Sequence, residues 1–80
     1  MFYVYIIRSI KCEDQIYIGF TENIKRRIKE HNIAENGHTA KHKPWKLIHV
    51  LVFFHKKKAL DFETYLKTSS GKAFMRKRLI

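Results

Sequence analysis

The fold is decided by residues 16–31, which read IYIGFTENIKRRIKEH. The first five of these residues are aromatic, β-branched or glycine, a composition typical of a β-strand. Thr21 predicts a helix N-cap, and two isoleucines one turn apart then indicate a helix that runs to about residue 32. The stretch therefore predicts a strand followed at once by a short basic helix, on which Arg27 and His31 lie one turn apart.

Further strand and helix patterns flank this stretch on both sides. Aromatic, aliphatic and β-branched residues predict strands over 2–7 and 47–54. The link between the first two strands is short, which favours an antiparallel hairpin. Residues 33–43 are polar and predict a loop, whereas 55–67 and 72–79 predict helices. The element order is therefore β-β-α-β-α-α.

Charge is the strongest signal in the composition of this chain, whose 80 residues make one domain, 1–80. Its 17 lysines and arginines face only 7 aspartates and glutamates, which gives a formal net charge of +10. Such a field attracts polyanions, and nucleic acid is the expected partner because contact with phosphates releases bound counterions. The alternative is a solvated basic surface that only keeps the protein in solution.

Composition also excludes several classes of protein. The apolar stretches 2–7 and 51–54 are far shorter than the roughly 18–20 residues that a membrane span requires, so no membrane partner is expected. The sequence shows no pattern of charged leader, apolar block and small-residue cleavage site, so secretion is not expected. Cys12 is the only cysteine, which rules out an internal disulfide and a thiolate zinc site. A reducing cytoplasm is the expected compartment.

The helix after the glycine is amphipathic in an unusual way. At roughly 100° per residue, Arg27 and His31 flank the apolar stripe that must dock on the sheet, while Lys25 and Arg26 point elsewhere. A guanidinium held against a sheet needs an anionic partner, either a protein carboxylate or a ligand phosphate. The alternative is an arginine that extends its charged head to solvent beside a surface histidine.

Glu63 is the one acid that falls on an apolar stripe, in the helix predicted over 55–67. It shares that stripe with Ala59, Phe62 and Leu66. A carboxylate in this position requires a salt bridge, a metal ion or a raised pKa. An ion pair with Arg27 or a lysine and a bound metal ion are equally compatible with the sequence.

Two tyrosines stand out among the four, although aromatic residues in strands usually belong to the core. Tyr5 and Tyr17 lie on strands expected to be central in the fold. Gly19 removes a side chain on the same face as Tyr17, and a missing side chain within a strand often marks the close approach of a ligand or another backbone. Packing of a helix over the strand is the competing explanation.

A second basic cluster lies near the end of the chain. It predicts either a surface that follows nucleic-acid phosphates or a solvated helix face. Together with Lys25 and Arg26 of the first helix, four residues are expected to bind nucleic acid: Lys72, Arg76, Lys77 and Arg78.

The chain resembles the GIY-YIG nuclease superfamily, and in particular its small single-domain bacterial members. The resemblance rests on two signature segments and three later side chains: Tyr3-Val4-Tyr5, Tyr17-Ile18-Gly19, Arg27, His31 and Glu63. It covers nearly the whole chain and is most specific between residues 16 and 31. The first signature lacks its glycine, a position at which the small bacterial members often vary.

The resemblance implies an α+β fold, in which a three-stranded antiparallel sheet is flanked by three helices. The element order permits this fold. The implied activity is metal-dependent hydrolysis of nucleic-acid phosphodiesters by an endonuclease that uses one Mg²⁺ or Mn²⁺. By position, Arg27 matches the arginine that contacts the scissile phosphate, His31 matches a polar residue that assists, and Glu63 matches the carboxylate that holds the metal.

The two signature tyrosines, Tyr5 and Tyr17, are the implied sources of a general base, and Gly19 matches the second signature's glycine. An ordinary phenol has a pKa near 10, so only about one in a thousand is ionised at pH 7. Nearby cations lower that pKa and burial raises it. Tyr17 is favoured as the base because it is nearer in sequence to Arg27.

The leading hypothesis is an endonuclease that cuts DNA, including structured or branched DNA. The alternatives are a nucleic-acid-binding module with weak or lost catalysis and a small structural partner of a ribonucleoprotein. Glu63 argues against both alternatives, since a binding protein gains little from an acid that faces its core. The enzyme hypothesis requires Glu63 and Arg27 to converge beside the two phenols in one solvent-reachable hollow.

Overall fold

The strand at the centre of the sheet is the one whose residues are apolar on both faces. In a computed structural model that describes residues 1–80, β1 (Phe2–Ser9) lies between β2 (Ile16–Thr21) and β3 (Trp45–Phe53), and both pairings are antiparallel. Residues 4–7 of β1 are completely buried. The predicted three-stranded antiparallel sheet is therefore confirmed.

Helices cover both faces of this sheet. They are α1 (Ile24–Ile33), α2 (His38–Lys41), α3 (Lys56–Leu66) and α4 (Ser69–Arg78). The α+β class and the order β-β-α-β-α-α are confirmed, with the four-residue α2 added inside the predicted loop. A helix this short has no hydrophobic periodicity from which it could be predicted. It is stabilised by a residue distant in sequence, since Trp45 Nε1 donates to the Thr39 carbonyl at 2.8 Å.

Side-chain alternation along β1 divides the core into two layers. On one face, three strand residues pack against α3 and α4: Val4, Ile6 and Ile18 against Ala59, Leu66 and Met75. On the other face, Tyr5, Ile7 and Trp45 pack against two isoleucines of α1, Ile24 and Ile28. The signature tyrosines therefore share a face with α1, whereas α3 packs on the opposite face through Ala59 and Leu66.

The start of α1 differs by two residues from the sequence prediction. Thr21 is still part of β2, and its hydroxyl accepts a hydrogen bond from the Asn23 N–H at 3.1 Å. Asn23 is the N-cap, because its side chain accepts from the Arg26 N–H at 3.1 Å. The threonine therefore shapes the turn between strand and helix, and the asparagine begins the helix.

The last helix begins at Ser69, three residues before its predicted start. Thr68 caps it by accepting a hydrogen bond from the Gly71 N–H at 3.0 Å. Gly71 allows a close approach of α3, because a Cβ at this position would overlap the Tyr65 carbonyl. The serine–glycine segment thus belongs to α4, and only residues 67 and 68 separate the two helices.

An asparagine joins the end of α1 to the start of β3. The Asn32 amide donates to the Trp45 carbonyl at 3.2 Å and accepts from the Trp45 N–H at 2.5 Å. This paired contact fixes α1 on the sheet and sets the Trp45 indole beside Tyr5 in the core. None of the four helices is long and apolar enough to span a membrane.

Candidate active site

The phenol of Tyr5 is the centre of the candidate site. Its ring is completely buried, and its oxygen lies 2.7 Å from His31 Nε2 and 3.2 Å from Arg27 Nε. Arginine can only donate, so the Tyr5 oxygen accepts from Arg27 Nε, and it shares a second hydrogen bond with His31 Nε2. The structure thus brings together three of the residues singled out in the sequence, from a strand and from successive turns of α1.

Burial sets the charge state of this inner pair. It raises the pKa of Tyr5 to about 12, because the loss of solvent outweighs the opposing effect of Arg27. Burial, together with the positive charge of Arg27, lowers the pKa of His31 to about 4. Both rings are therefore neutral at pH 7. The Tyr5 phenol keeps its proton and holds Arg27 in place.

The buried histidine makes the fold sensitive to acid. The pKa of His31 is depressed from its ordinary 6.5 to about 4, so between these values the unfolded chain takes up a proton that the folded chain does not. Stability is therefore complete above about pH 6.5 and falls as the pH drops. We expect His31 to lower the free energy of unfolding by about 2–3 kcal/mol as the pH falls from 7 to 4.5. Urea denaturation at a series of pH values measures this change.

The matched control for this effect is the exposed His55, at the start of α3. The variant His55→Gln should keep the full pH dependence of the wild type, whereas His31→Gln should lose the part that histidine contributes. Equal slopes for the two variants would show that His31 does not carry the effect.

Gly19 makes room for the Tyr5 ring. The two residues face each other across the β1–β2 pairing, and a Cβ at Gly19 would overlap the Tyr5 hydroxyl and lie 2.8 Å from Tyr5 Cε1. The sequence left open a ligand, another backbone or a helix as the reason for this glycine. The reason is instead an aromatic side chain of the neighbouring strand.

Replacing this glycine should therefore disturb the whole inner layer. We expect Gly19→Ala to lower the unfolding free energy by about 1–3 kcal/mol, because the enclosed Tyr5 ring must move away from His31 and Arg27. Urea denaturation measures the change. In a Tyr5→Leu background the penalty should largely disappear, and a penalty that persists there would point to a cause in the strand itself.

Tyr17 and Arg27 form the outer, solvent-reaching layer. The half-buried Tyr17 ring lies edge-on to His31 with centroids 4.8 Å apart, and 6.3 Å from the ring of Tyr5. The Arg27 side chain is 38% exposed. Burial by itself lowers the pKa of Arg27, but hydrogen bonds to Tyr5 and Glu30 and the nearby Tyr17 hold that pKa above its ordinary value. The guanidinium is thus permanently charged and fixed beside both phenols.

Glu30 is a site residue that the sequence analysis missed. Arg27 Nη1 donates to Glu30 Oε1 at 3.1 Å, and Arg26 Nε lies 3.7 Å from Oε2 of the same carboxylate. The spacings of three and four residues on one helix were the available signal. A carboxylate therefore occupies the anionic position expected beside Arg27, and an incoming phosphate must displace it.

Glu63 does not contact the phenols or Arg27. Its side chain is 19% exposed, and its Oε2 lies 3.2 Å from Lys67 Nζ, one turn along α3. Of the alternatives that the sequence left open, the ion pair with a lysine is present. The carboxylate is nevertheless near the site, since its negative charge is one of the effects that raise the pKa of Tyr5.

The donor set limits what kind of metal site this region can form. No three His, Cys, Asp or Glu side chains cluster closely enough to hold a metal ion. A closed protein cage is thereby excluded. Glu63 alone fits an open site for a hard divalent cation, which accepts one carboxylate together with waters and substrate phosphate oxygens. Lys67 must then release one carboxylate oxygen.

The predicted nucleic-acid-binding cations fall into two separate groups. Lys25 and Arg26 are exposed on α1, the helix that carries Arg27. The C-terminal group is exposed on α4, whose Met75 packs on the opposite face of the sheet. This second group comprises Lys72, Arg76, Lys77 and Arg78. A single flat contact with nucleic acid can include the first group and the phenols, whereas the second group faces another direction.

The surface contains one distinct hollow, of about 350 Å³. It lies at the start of α1 and is lined by Tyr3, Asn23 and Lys25, together with Glu22 and Ile24. Neither Tyr5 nor Tyr17 lines this hollow. The single hollow that the sequence led us to expect around Glu63, Arg27 and the two phenols is therefore not present, since none of these residues lines the hollow at the start of α1. Tyr17 and Arg27 lie instead on an open surface, which suits a long polymeric substrate better than a small molecule.

Comparisons with known proteins identify the family to which this chain belongs. Residues 1–78 match the family model of the GIY-YIG catalytic domain. A UPF0213 protein of Clostridium perfringens is 42% identical over 72 residues, which cover 84% of this chain and 71% of that relative. A UPF0213 protein of Staphylococcus haemolyticus is 36% identical over 70 residues, which cover 85% and 82% of the two chains.

The fold has a counterpart among solved structures as well. The solution NMR structure of a UPF0213 protein from Bacillus halodurans matches with a TM-score of 0.54 and 28% sequence identity. The match covers 96% of this chain and 84% of that one. With the family model spanning almost every residue and relatives over 30% identical along most of its length, the chain belongs to the GIY-YIG family of nuclease domains.

Proposed function

We propose that this protein is a metal-dependent endonuclease that hydrolyses phosphodiester bonds in DNA. The observation that carries the proposal is the two-layered site, in which buried Tyr5 and His31 hold the Arg27 guanidinium beside the solvent-reaching Tyr17. A net charge of +10 brings a polyanion to this surface. The family provides the class of chemistry, and these contacts support the roles of the individual residues.

Arg27 is the proposed phosphate-binding residue. Its Nε is bound to the Tyr5 oxygen, so the orientation of the planar fork is fixed before a substrate arrives. The Nη1 atom that now donates to Glu30 becomes a donor to a phosphate oxygen once that exposed carboxylate moves away. A preset cation of this kind stabilises the charge that develops in the transition state.

Tyr17 is the proposed general base. Tyr5 is poorly suited to this role, because burial raises its pKa to about 12 and its buried oxygen already bonds to Arg27 and His31. Tyr17 reaches solvent beside Arg27, and a water that attacks the bound phosphate can approach its hydroxyl. His31 serves as a positioning residue, since it forms a hydrogen bond with the Tyr5 hydroxyl and an edge-on contact with the Tyr17 ring.

Glu63 is the proposed metal ligand. When bound there, one Mg²⁺ or Mn²⁺ would polarise the phosphate and stabilise the leaving oxygen. Glu63 supplies the carboxylate, and its half-buried position on α3 limits the directions in which it can turn. Lys67 neutralises that carboxylate until it is displaced.

A nucleic-acid-binding module without catalysis is the second candidate function. It is favoured by one observation, the ion pair between Glu63 and Lys67, which is what a purely structural glutamate would form. Under this alternative the basic surface holds nucleic acid and no phosphodiester bond is cut.

Cleavage assays separate these two functions. Purified protein is incubated with end-labelled single-stranded, duplex, nicked and branched DNA and with matching RNA, in Mg²⁺ or Mn²⁺ and with EDTA as the control. The nuclease proposal expects metal-dependent cutting of at least one DNA substrate. Binding to these substrates with no cutting of any of them would favour the binding module.

A further inference from the structure

The short helix α2 sets a histidine ring against the proposed base. The rings of His38 and Tyr17 are nearly parallel, 27° apart, with centroids separated by 6.4 Å. His38 is exposed and Tyr17 is half-buried. Behind them, the His42 ring lies edge-on to His38 at 5.1 Å, and the buried Trp45 indole lies 6.2 Å from His38. The rings of His38, His42 and Tyr17 thus form one aromatic surface, which is backed by the buried Trp45 and ends at the phenol proposed as the base.

This aromatic surface is held firmly by the fold. The α2 segment has no side-chain cap of its own. Two hydrogen bonds from elsewhere hold its backbone instead: Trp45 Nε1 to the Thr39 carbonyl at 2.8 Å and Ser9 Oγ to the carbonyl of the C-cap His42 at 2.6 Å. Because Ser9 and Trp45 are themselves buried, the backbone that carries His38 is anchored to the core beside Tyr17.

Two simpler explanations do not account for the exposed histidine. A metal site with three protein ligands is not formed here, since no third His, Cys, Asp or Glu joins His38 and His42. Core packing is also excluded for His38, because the core on this face is closed by Trp45 and Tyr17, and the histidine lies outside them. An anchored, solvent-facing aromatic ring beside a phosphate-binding arginine is the arrangement that stacks a nucleobase.

We propose that His38, together with Tyr17, stacks an unpaired base next to the phosphate held by Arg27. The inference rests on the proposed nuclease function and narrows its substrate class. A base within a duplex is covered on both faces by its neighbours and cannot meet an aromatic side chain without leaving the helix. The preferred substrate is therefore DNA that is single-stranded, or whose strands are splayed, at the position of the cut.

Binding without catalysis tests this inference separately from the nuclease activity. The probe is a single-stranded DNA oligonucleotide with one 2-aminopurine, whose fluorescence is quenched when it stacks, and EDTA prevents cleavage. We expect His38→Ala to weaken binding by roughly 5- to 10-fold and to reduce the quenching. His38→Phe should restore both, because it keeps an aromatic ring. His55→Ala, which changes an exposed histidine on the opposite side of the sheet, should match the wild type.

Duplex DNA of the same sequence completes the experiment, and its affinity should not change in His38→Ala. Loss of binding by His38→Phe equal to that of His38→Ala would overturn the stacking role, as would equal losses for single-stranded and duplex DNA. If stacking is intact but no substrate is cut, the nuclease proposal fails and this inference stands. If DNA is cut but His38→Ala changes neither binding nor quenching, this inference fails and the nuclease proposal stands.

Discussion

Replacing Arg27 with alanine is expected to lower the rate of DNA cleavage by about 100- to 1000-fold, the usual effect of removing a preset group that stabilises transition-state charge. The guanidinium is held by Tyr5 on one side and stands beside Tyr17 on the other, so no other cation can take its position. Arg27→Lys should recover only part of the rate, because an ammonium group lacks the planar fork. Single-turnover cleavage of an end-labelled oligonucleotide measures the effect.

The neighbouring Arg26 provides a matched control. It is the same residue type on the same helix and also approaches Glu30, but its side chain is 68% exposed and does not contact either phenol. Arg26→Ala should weaken DNA binding modestly and leave the cleavage step almost unchanged. If both variants lose activity equally, Arg27 acts only as part of a general basic surface, and the transition-state role is wrong.

Replacing Glu63 with glutamine is expected to reduce metal-dependent cleavage by on the order of 1000-fold, since a metal ion contributes several kcal/mol of charge stabilisation. The amide keeps the size of the side chain and removes the charge that a hard cation requires. Rates are measured over a titration of Mg²⁺ and of Mn²⁺. Asp61→Asn is the control, because Asp61 lies on the same helix and is also paired with a lysine.

Removing the lysine partner of Glu63 should have the opposite effect to Glu63→Gln and should favour metal binding. Lys67 competes with the cation for the carboxylate, so Lys67→Met should lower the Mg²⁺ concentration for half-maximal cleavage by roughly 2- to 5-fold, the scale of an exposed ion pair. Lys57→Met removes an equivalent partner from Asp61 and should have no such effect. A higher Mg²⁺ requirement in Lys67→Met would indicate that the lysine assists catalysis rather than blocking the ligand.

Much of the fold could be predicted because the sequence periodicities are strong. Residues 4–7 form a run that is apolar on both faces, which marked the central strand, and the spacing of Arg27 and His31 placed both on the sheet side of α1. The short helix α2 could not be predicted, because it depends on the long-range hydrogen bonds from Trp45 and Ser9. For the same reason His38 looked like an ordinary loop residue in the sequence.

Sequence periodicity predicted that Tyr5, Arg27 and His31 lie on one face, but it does not show how far each residue lies from solvent. Tyr5 and His31 proved to be buried, whereas Tyr17, the proposed base, is only partly buried. Gly19 likewise could not be explained from one strand, since its reason is a ring on the neighbouring strand.

The central claim is that a metal ion at Glu63 acts at the same surface as Tyr17 and Arg27, although α3 packs on the other face of the sheet. Paramagnetic broadening by Mn²⁺ in NMR spectra of the isotope-labelled protein tests this claim most directly. We expect substoichiometric Mn²⁺ to broaden the signals of Glu63 and of the Tyr5 and Tyr17 rings together, and Glu63→Gln to abolish that broadening. Broadening centred on other carboxylates, with both tyrosine rings unaffected, would contradict the claim.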